Sequence, residues 1–124
     1  MTLVVLFIVL AYLIGSIPTA LWIGRSTHGV DIREHGSKNA GATNTFRILG
    51  RKCGWIVLTI DVLKGLAASS LPLIFAEDYS KNELLLFQIS TSLLCIIGHI
   101  FPVFAQFRGG KGVASALGII IGLN

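Results

Sequence analysis

Apolar residues along this chain gather in long unbroken runs rather than recurring at helical or alternating spacing. From Leu3 to Gly24 there is no charged side chain, and about 20 such residues are what a hydrocarbon core of about 30 Å requires. A second run, Cys53 to Ala76, is interrupted only by Asp61 and Lys64, and a third, Leu84 to Phe107, carries Gln88 and His99 as its notable polar groups. A fourth begins after Lys111 and is still apolar at Asn124, where the chain stops. The pattern predicts an all-α polytopic transmembrane bundle: three full spans near 3–24, 54–76 and 84–106, and a truncated fourth from about 112. All of 1–124 then forms a single membrane domain, expected to be the amino-terminal part of a larger protein, because an unfinished span leaves carbonyls without partners in lipid.

Composition agrees. Hydrophobic residues make up 53% of the chain and charged ones 13%, with a mean hydropathy of +0.79, whereas a soluble domain carries about 25% charged residues. The first run is not a signal peptide, since Met1-Thr2-Leu3 lacks the basic start such a segment needs. The net +4 is placed unevenly. Between Arg25 and Lys52 six basic side chains face two acidic ones, a balance of +4, while between Glu77 and Glu83 one faces three, a balance of −2. The positive-inside rule then puts the loops at about 25–52 and 107–111 in the cytoplasm and the amino terminus outside. Cys53 and Cys95 fit neither a disulfide framework nor a zinc site and read as small apolar residues.

Inside the spans, Gly15, Ser16 and Pro18 form a small-residue face with a kink, and Gly65, Ala67, Ala68 and Ser69 form another; small residues let membrane helices approach closely. Asp61 and Lys64, three apart, share one helix face and are placed to pair. Such an intramembrane pair either fixes packing or marks function. His99 reads as a hydrogen-bonded packing residue.

Two segments on the cytoplasmic side can carry chemistry. His35-Gly36-Ser37-Lys38-Asn39-Ala40-Gly41-Ala42-Thr43-Asn44, followed by Arg47, sets hydroxyls, amides and a guanidinium among glycines. Glycines let backbone N–H groups converge on an anion, and polar side chains complete its coordination. Thr43 or Asn44 is a candidate cap for a short helix through Phe46 to Leu49 that stops at Gly50. The second segment, Arg108-Gly109-Gly110-Lys111-Gly112-Val113, leads directly into an apolar helix, whose amino terminus favours negative charge. It is not a nucleoside-triphosphate loop, because Ala105 and Gly112 stand where that motif needs glycine and a hydroxyl. For both segments the plainer reading is a topological signal or a contact for anionic lipid. Two cationic glycine-rich loops on one face favour a phosphate site. There is no Gly-x-Ser-x-Gly motif and no metal-spaced cluster. The His-x4-Asp signature of one class of glycerolipid acyltransferases is also missing, since Arg33, Ala40 and Phe104 lie five residues after the three histidines.

Taken in order, Gly15-Ser16-Ile17-Pro18, Asp31-Ile32-Arg33 through Asn44 and Arg47, Asp61 with Lys64-Gly65, Gly98-His99 with Pro102-Val103-Phe104, and Gly109 through Ala114 resemble the bacterial acyl-phosphate:glycerol-3-phosphate acyltransferases. These are multi-span enzymes of the cytoplasmic membrane that make lysophosphatidate for phospholipid biosynthesis. The resemblance implies Ser37 and Arg47 as catalytic residues. It also implies Asn39, Gly41, Thr43, Asn44, Gly109, Gly110, Lys111 and Gly112 as phosphate-binding positions, with Asp61, Lys64 and His99 in support. Lys38 departs from the family, which usually has glycine there. A third motif with a functional His and Asn is expected beyond further spans. The implied reaction is direct acyl transfer from acyl phosphate to the 1-hydroxyl of glycerol 3-phosphate, with no metal or organic cofactor. Its partners are those two substrates and membrane lipid; no nucleic acid is involved, and no protein partner follows from the residues. A small membrane carrier or channel subunit for an anionic metabolite is the competing reading.

Overall fold

The computed structural model describes residues 1–124. It contains six α-helices and no strand: α1 Thr2–Gly15, α2 Thr19–His28, α3 Ala42–Leu49, α4 Arg51–Ser70, α5 Lys81–Ile100 and α6 Val113–Leu123. A 3-10 segment, Leu71–Asp78, extends α4, and another, Val103–Ala105, follows α5. Three stretches, Thr2–His28, Arg51–Asp78 and Lys81–Ala105, are long and apolar enough to cross a membrane, while Val113–Leu123 is a shorter apolar helix. The three spans anticipated from the apolar runs are therefore present.

The distribution of polarity is the reverse of a water-soluble core. Buried side chains include 13 polar or charged and 14 apolar ones, while 26 large apolar side chains, among them Leu6, Leu86, Leu93 and Ile120, face outward. Outward apolar surface of this extent needs lipid around it. Buried polar groups in such a bundle must find partners inside it. Gln88 Nε2 donates to the Ser69 carbonyl at 2.9 Å, tying α5 to α4, and the Thr91 and Ser92 hydroxyls donate to carbonyls of their own helix. The chain is a membrane-spanning helical bundle.

The first span is broken where the sequence predicts a kink. Pro18 has no N–H, and Thr19 donates to the Ile17 carbonyl instead of continuing the α1 ladder. The Lys64 ammonium from α4 donates to the Gly15 carbonyl at 3.2 Å and shares the Ile17 carbonyl at 2.8 Å. A charge inside the bundle thus caps a helix break, one of the few ways irregular backbone is tolerated at membrane depth.

The helices pair as α1 with α5 and α4 with α6, with α3 lying against the start of α4. The α4–α6 contact is a backbone contact: a Cβ on Gly65 would stand 1.9 Å from the Ser115 carbonyl oxygen, and one on Gly118 would stand 1.8 Å from that of Val62. Any side chain at either place would push α6 off α4. Beneath the Arg25–Lys52 loop, Ala20, Ile32, Ala40, Leu49, Cys53 and Val57 form a small core. The loop is therefore packed onto α2, α3 and α4 and is no flexible linker.

Candidate functional site

Both glycine-rich segments meet at one end of the bundle. α3 starts directly after Gly41, its amino-terminal cap, so the sequence expectation of a cap at Thr43 or Asn44 places the helix start too late. Asn44 lies in the first turn, 1% exposed, and ties the loop together. Its Oδ1 accepts the Ser37 N–H at 3.1 Å, and its Nδ2 faces the carbonyls of His35 at 2.9 Å, Asn39 at 3.1 Å and Ile32 at 3.3 Å. An amide has two N–H groups and one carbonyl, so little of Asn44 is left for a ligand. Ser37 remains exposed, its Oγ accepting only a long 3.4 Å bond from the Asn39 N–H. Lys38 has φ +63°, a left-handed conformation that glycine adopts without a steric penalty.

The second segment is held to the first by Arg33, 4% exposed. Its guanidinium grips Asp31 through Nε at 3.0 Å and Nη2 at 2.8 Å. From there it donates to the Ala105 carbonyl at 2.7 Å, the Arg108 carbonyl at 3.3 Å and Gln106 Oε1 at 3.3 Å. These hydrogen bonds from Arg33 hold the Asp31 carboxyl down to about 2 from an ordinary 3.8, against the opposing effect of burial. The same hydrogen bonding raises the Arg33 pKa. Neither Asp31 nor Arg33 shows this role in the local sequence pattern.

Gly109 and Gly110 behave differently from expectation. Their N–H groups do not point at an anion: Gly109 donates to the Ile100 carbonyl at 3.0 Å and Gly110 to that of His99 at 3.2 Å. Both are glycine because the segment folds back onto the end of α5. A Cβ on Gly109 would stand 1.9 Å from the His99 carbonyl oxygen, and one on Gly110 would meet His99 Nε2 at 2.6 Å and the Ala40 carbonyl oxygen at 2.8 Å. The free donors come next in the chain. Lys111 and Gly112 make no backbone hydrogen bond through N–H, and the first intrahelical partner of α6 is the Ala116 N–H to the Gly112 carbonyl. The N–H groups of Val113, Ala114 and Ser115 are therefore those a helix leaves open at its start.

Between the two segments lies a cavity of ≈ 540 Å³, the size of a small-molecule site. It is lined by Ser37, Asn39, Gly41, Thr43, Asn44 and Arg47 from the first segment and by Lys111 and Gly112 from the second. Asp61 and His99 contribute from α4 and α5, and Leu58, Val113 and Leu117 give it an apolar side. Ten of the thirteen candidate positions thus share one cavity; Gly109, Gly110 and Lys64 support it from behind. Arg47 and Lys111 have no acidic partner. Two unpaired cations and the open starts of α3 and α6 make an arrangement that attracts an anion from both sides.

Behind the cavity wall, Lys64 Nζ lies 3.0 Å from Asp61 Oδ1 and 3.2 Å from His99 Nδ1. An ammonium can only donate, so the lysine fills the Nδ1 lone pair and the ring proton is assigned to Nε2. The pair anticipated from the three-residue spacing is formed. No group of three or more His, Cys, Asp or Glu side chains is placed to hold a metal ion.

Known proteins share this arrangement of chain. Residues 5–124 match the family profile described as glycerol-3-phosphate acyltransferase. A glycerol-3-phosphate acyltransferase of Bacillus cytotoxicus is 52% identical over 116 residues, which cover 94% of this chain and 55% of that one. A Streptococcus agalactiae protein of the same description is 48% identical over 96% of this chain and 53% of its own length. Among solved structures, PlsY (YgiH), an integral membrane glycerol 3-phosphate acyltransferase, superposes in its glycerol 3-phosphate form with a TM-score of 0.86 at 38% identity, covering 98% of this chain and 57% of that one. Its lysophosphatidic acid form gives 0.83 at 37%. The chain spans about half the length of the curated relatives it matches. It belongs to the glycerol-3-phosphate acyltransferase family.

Proposed function

We propose that this chain contributes the phosphate-gripping side of a site that acylates glycerol 3-phosphate with a fatty acyl phosphate. The observation that carries the reading is the cavity in which unpaired Arg47 and Lys111 stand beside the open amino-terminal turns of α3 and α6. The PlsY structure of 38% identity, described in a glycerol 3-phosphate form, supports it. In the reaction the 1-hydroxyl oxygen attacks the acyl carbonyl carbon, a new C–O ester bond forms, and the bond from that carbon to the phosphate oxygen breaks. The hydroxyl proton leaves with inorganic phosphate. An acyl phosphate is already an activated mixed anhydride, so the protein's main tasks are to hold two anions together and to screen their charge. Within this scheme Ser37 and Arg47 stand closest to the chemistry, and Asn39, Gly41, Thr43, Lys111 and Gly112 surround the phosphate. Asn44 shapes the loop, and Gly109 and Gly110 set the second segment against α5.

The unpaired cations also support a location in the bacterial cytoplasmic membrane, with the loops at about 25–52 and 107–111 facing the cytoplasm and the amino terminus outside. Cysteine labelling at the exposed positions Lys52 and Asp78 is expected to find the first inside and the second outside. The reverse result removes both loops from the compartment in which the substrates are placed.

The activity itself is tested with the full-length protein in vesicles, supplied with acyl phosphate and glycerol 3-phosphate. Equal amounts of lysophosphatidate and phosphate are expected, and Ser37→Ala or Arg47→Ala should abolish most turnover while the protein still inserts. Movement of glycerol 3-phosphate across the membrane with no product would instead establish a carrier.

A further inference from the structure

Asp61 is the one buried charged side chain left without a hydrogen bond. It sits in α4 ten residues beyond Arg51, about 15 Å along the helix at 1.5 Å per residue. It is 1% exposed, and neither carboxylate oxygen has a hydrogen-bond partner. The reason lies in Lys64. An ammonium carries three N–H groups, and these have three acceptors in the Gly15 carbonyl, the Ile17 carbonyl and His99 Nδ1. Lys64 therefore compensates the charge of Asp61 at 3.0 Å but has no hydrogen left to give it. A carboxylate offers about four acceptor positions, and a buried acceptor left empty is costly. The residue lines the cavity with its oxygens just beneath the wall, where a small turn of the carboxylate presents one of them to a ligand.

What can fill it follows from charge. A phosphate is repelled by the carboxylate and attracted to Arg47 and Lys111, which line the same cavity. A metal cation is disfavoured by the ammonium 3.0 Å away. A neutral O–H donor meets neither objection. Building on the acyl-acceptor reading above, we propose that Asp61 is a specificity-determining residue that accepts a hydrogen bond from an alcohol of the bound polyol phosphate. The phosphate is held by Arg47 and Lys111 while Asp61 recognises the hydroxylated end of the same molecule. Lys64 is a positioning residue: by capping the α1–α2 break and the His99 ring it holds the carboxylate in place without giving it a hydrogen bond. A site built this way discriminates strongly against an analogue without the hydroxyl, because the carboxylate is then left buried and empty.

The test compares equilibrium binding of glycerol 3-phosphate and propyl phosphate to the full-length protein. Propyl phosphate keeps the phosphate and the three carbons and lacks both hydroxyls. In the unmodified protein glycerol 3-phosphate is expected to bind roughly ten- to a hundredfold tighter, the range of a hydrogen bond to a charged group. Asp61→Asn should narrow that gap by about tenfold, chiefly by weakening glycerol 3-phosphate. Equal weakening of both ligands in the variant means a purely structural role and overturns the proposal. Should Asp61→Asn fail to fold, the unmodified protein still decides. Equal binding of the two ligands overturns the proposal, as does a carboxylate infrared band that glycerol 3-phosphate shifts no more than propyl phosphate does. If propyl phosphate binds and glycerol 3-phosphate gains nothing over it, only the role of Asp61 falls. If neither binds, the acyl-acceptor reading falls and this inference with it.

Discussion

Arg33 donates to the carbonyl of Ala105 at 2.7 Å across 72 residues of chain, and that bond fixes the distance between the two glycine-rich segments. Arg33→Ala removes the guanidinium that binds Asp31, Ala105, Gln106 and Arg108 and leaves Asp31 without its main partner. Loss of a buried charge partner costs about 3 kcal/mol or more. The expected outcome is a lower melting temperature in detergent and a raised KM for glycerol 3-phosphate. Arg33→Lys should recover little, since a lysine cannot reproduce the fork that serves a carboxylate and several carbonyls together. An unchanged KM in Arg33→Ala would show that the second segment holds its place without the clamp.

The same pair sets an acid limit. The folded Asp31 carboxyl is depressed to about 2 from 3.8, so its contribution to stability is complete above pH 4 and is lost as the pH falls from about 4 toward 2. From pH 7 to pH 5 this contact should be insensitive to pH. Asp31→Asn is expected to lower the melting temperature at pH 7 and to flatten the acid limb below pH 4. An acid limb identical in the variant and the unmodified protein would assign it to other groups.

Much of the architecture was legible because a membrane imposes long-range order on local sequence. Twenty apolar residues in a row mean a span whatever surrounds them, and Pro18 and the 61/64 spacing carried the helix break and the ion pair. The lining of the cavity was legible as a set of residues and less so as a geometry. The clamp made by Arg33 is not legible in the sequence, because its partners are 72 and 75 residues away and leave no local pattern. Gly109 and Gly110 advertised a close approach, but the sequence could not say to what: the approach is to the end of α5, and the free N–H groups begin one residue later. Asn44 has the chemistry of a phosphate ligand and of a helix cap, and only the fold shows that its amide is spent on the loop.

Lys38 offers a test of the loop conformation. At φ +63° a residue with a Cβ carries roughly 1 kcal/mol of strain that glycine lacks, partly offset by the greater freedom of glycine in the unfolded chain. Lys38→Gly is therefore expected to leave stability unchanged or raise it by up to about 1 kcal/mol, and to weaken substrate binding slightly through the lost charge. Lys38→Val, a branched residue at the same φ, should be clearly less stable. Equal melting temperatures for the two variants would show that the left-handed conformation is not held.

The central claim is that the phosphate of glycerol 3-phosphate sits between the two segments, attracted by Arg47 on one side and Lys111 on the other. Titration calorimetry of glycerol 3-phosphate into the full-length protein at two salt concentrations tests it most directly. Unmodified protein should bind, and added salt should weaken binding. Arg47→Ala and Lys111→Ala should each weaken binding by roughly tenfold or more, the loss expected for a hydrogen bond to a charged group, and each should blunt the salt effect because one screened attraction is gone. Affinity and salt dependence unchanged in both variants would contradict the account and place the phosphate elsewhere.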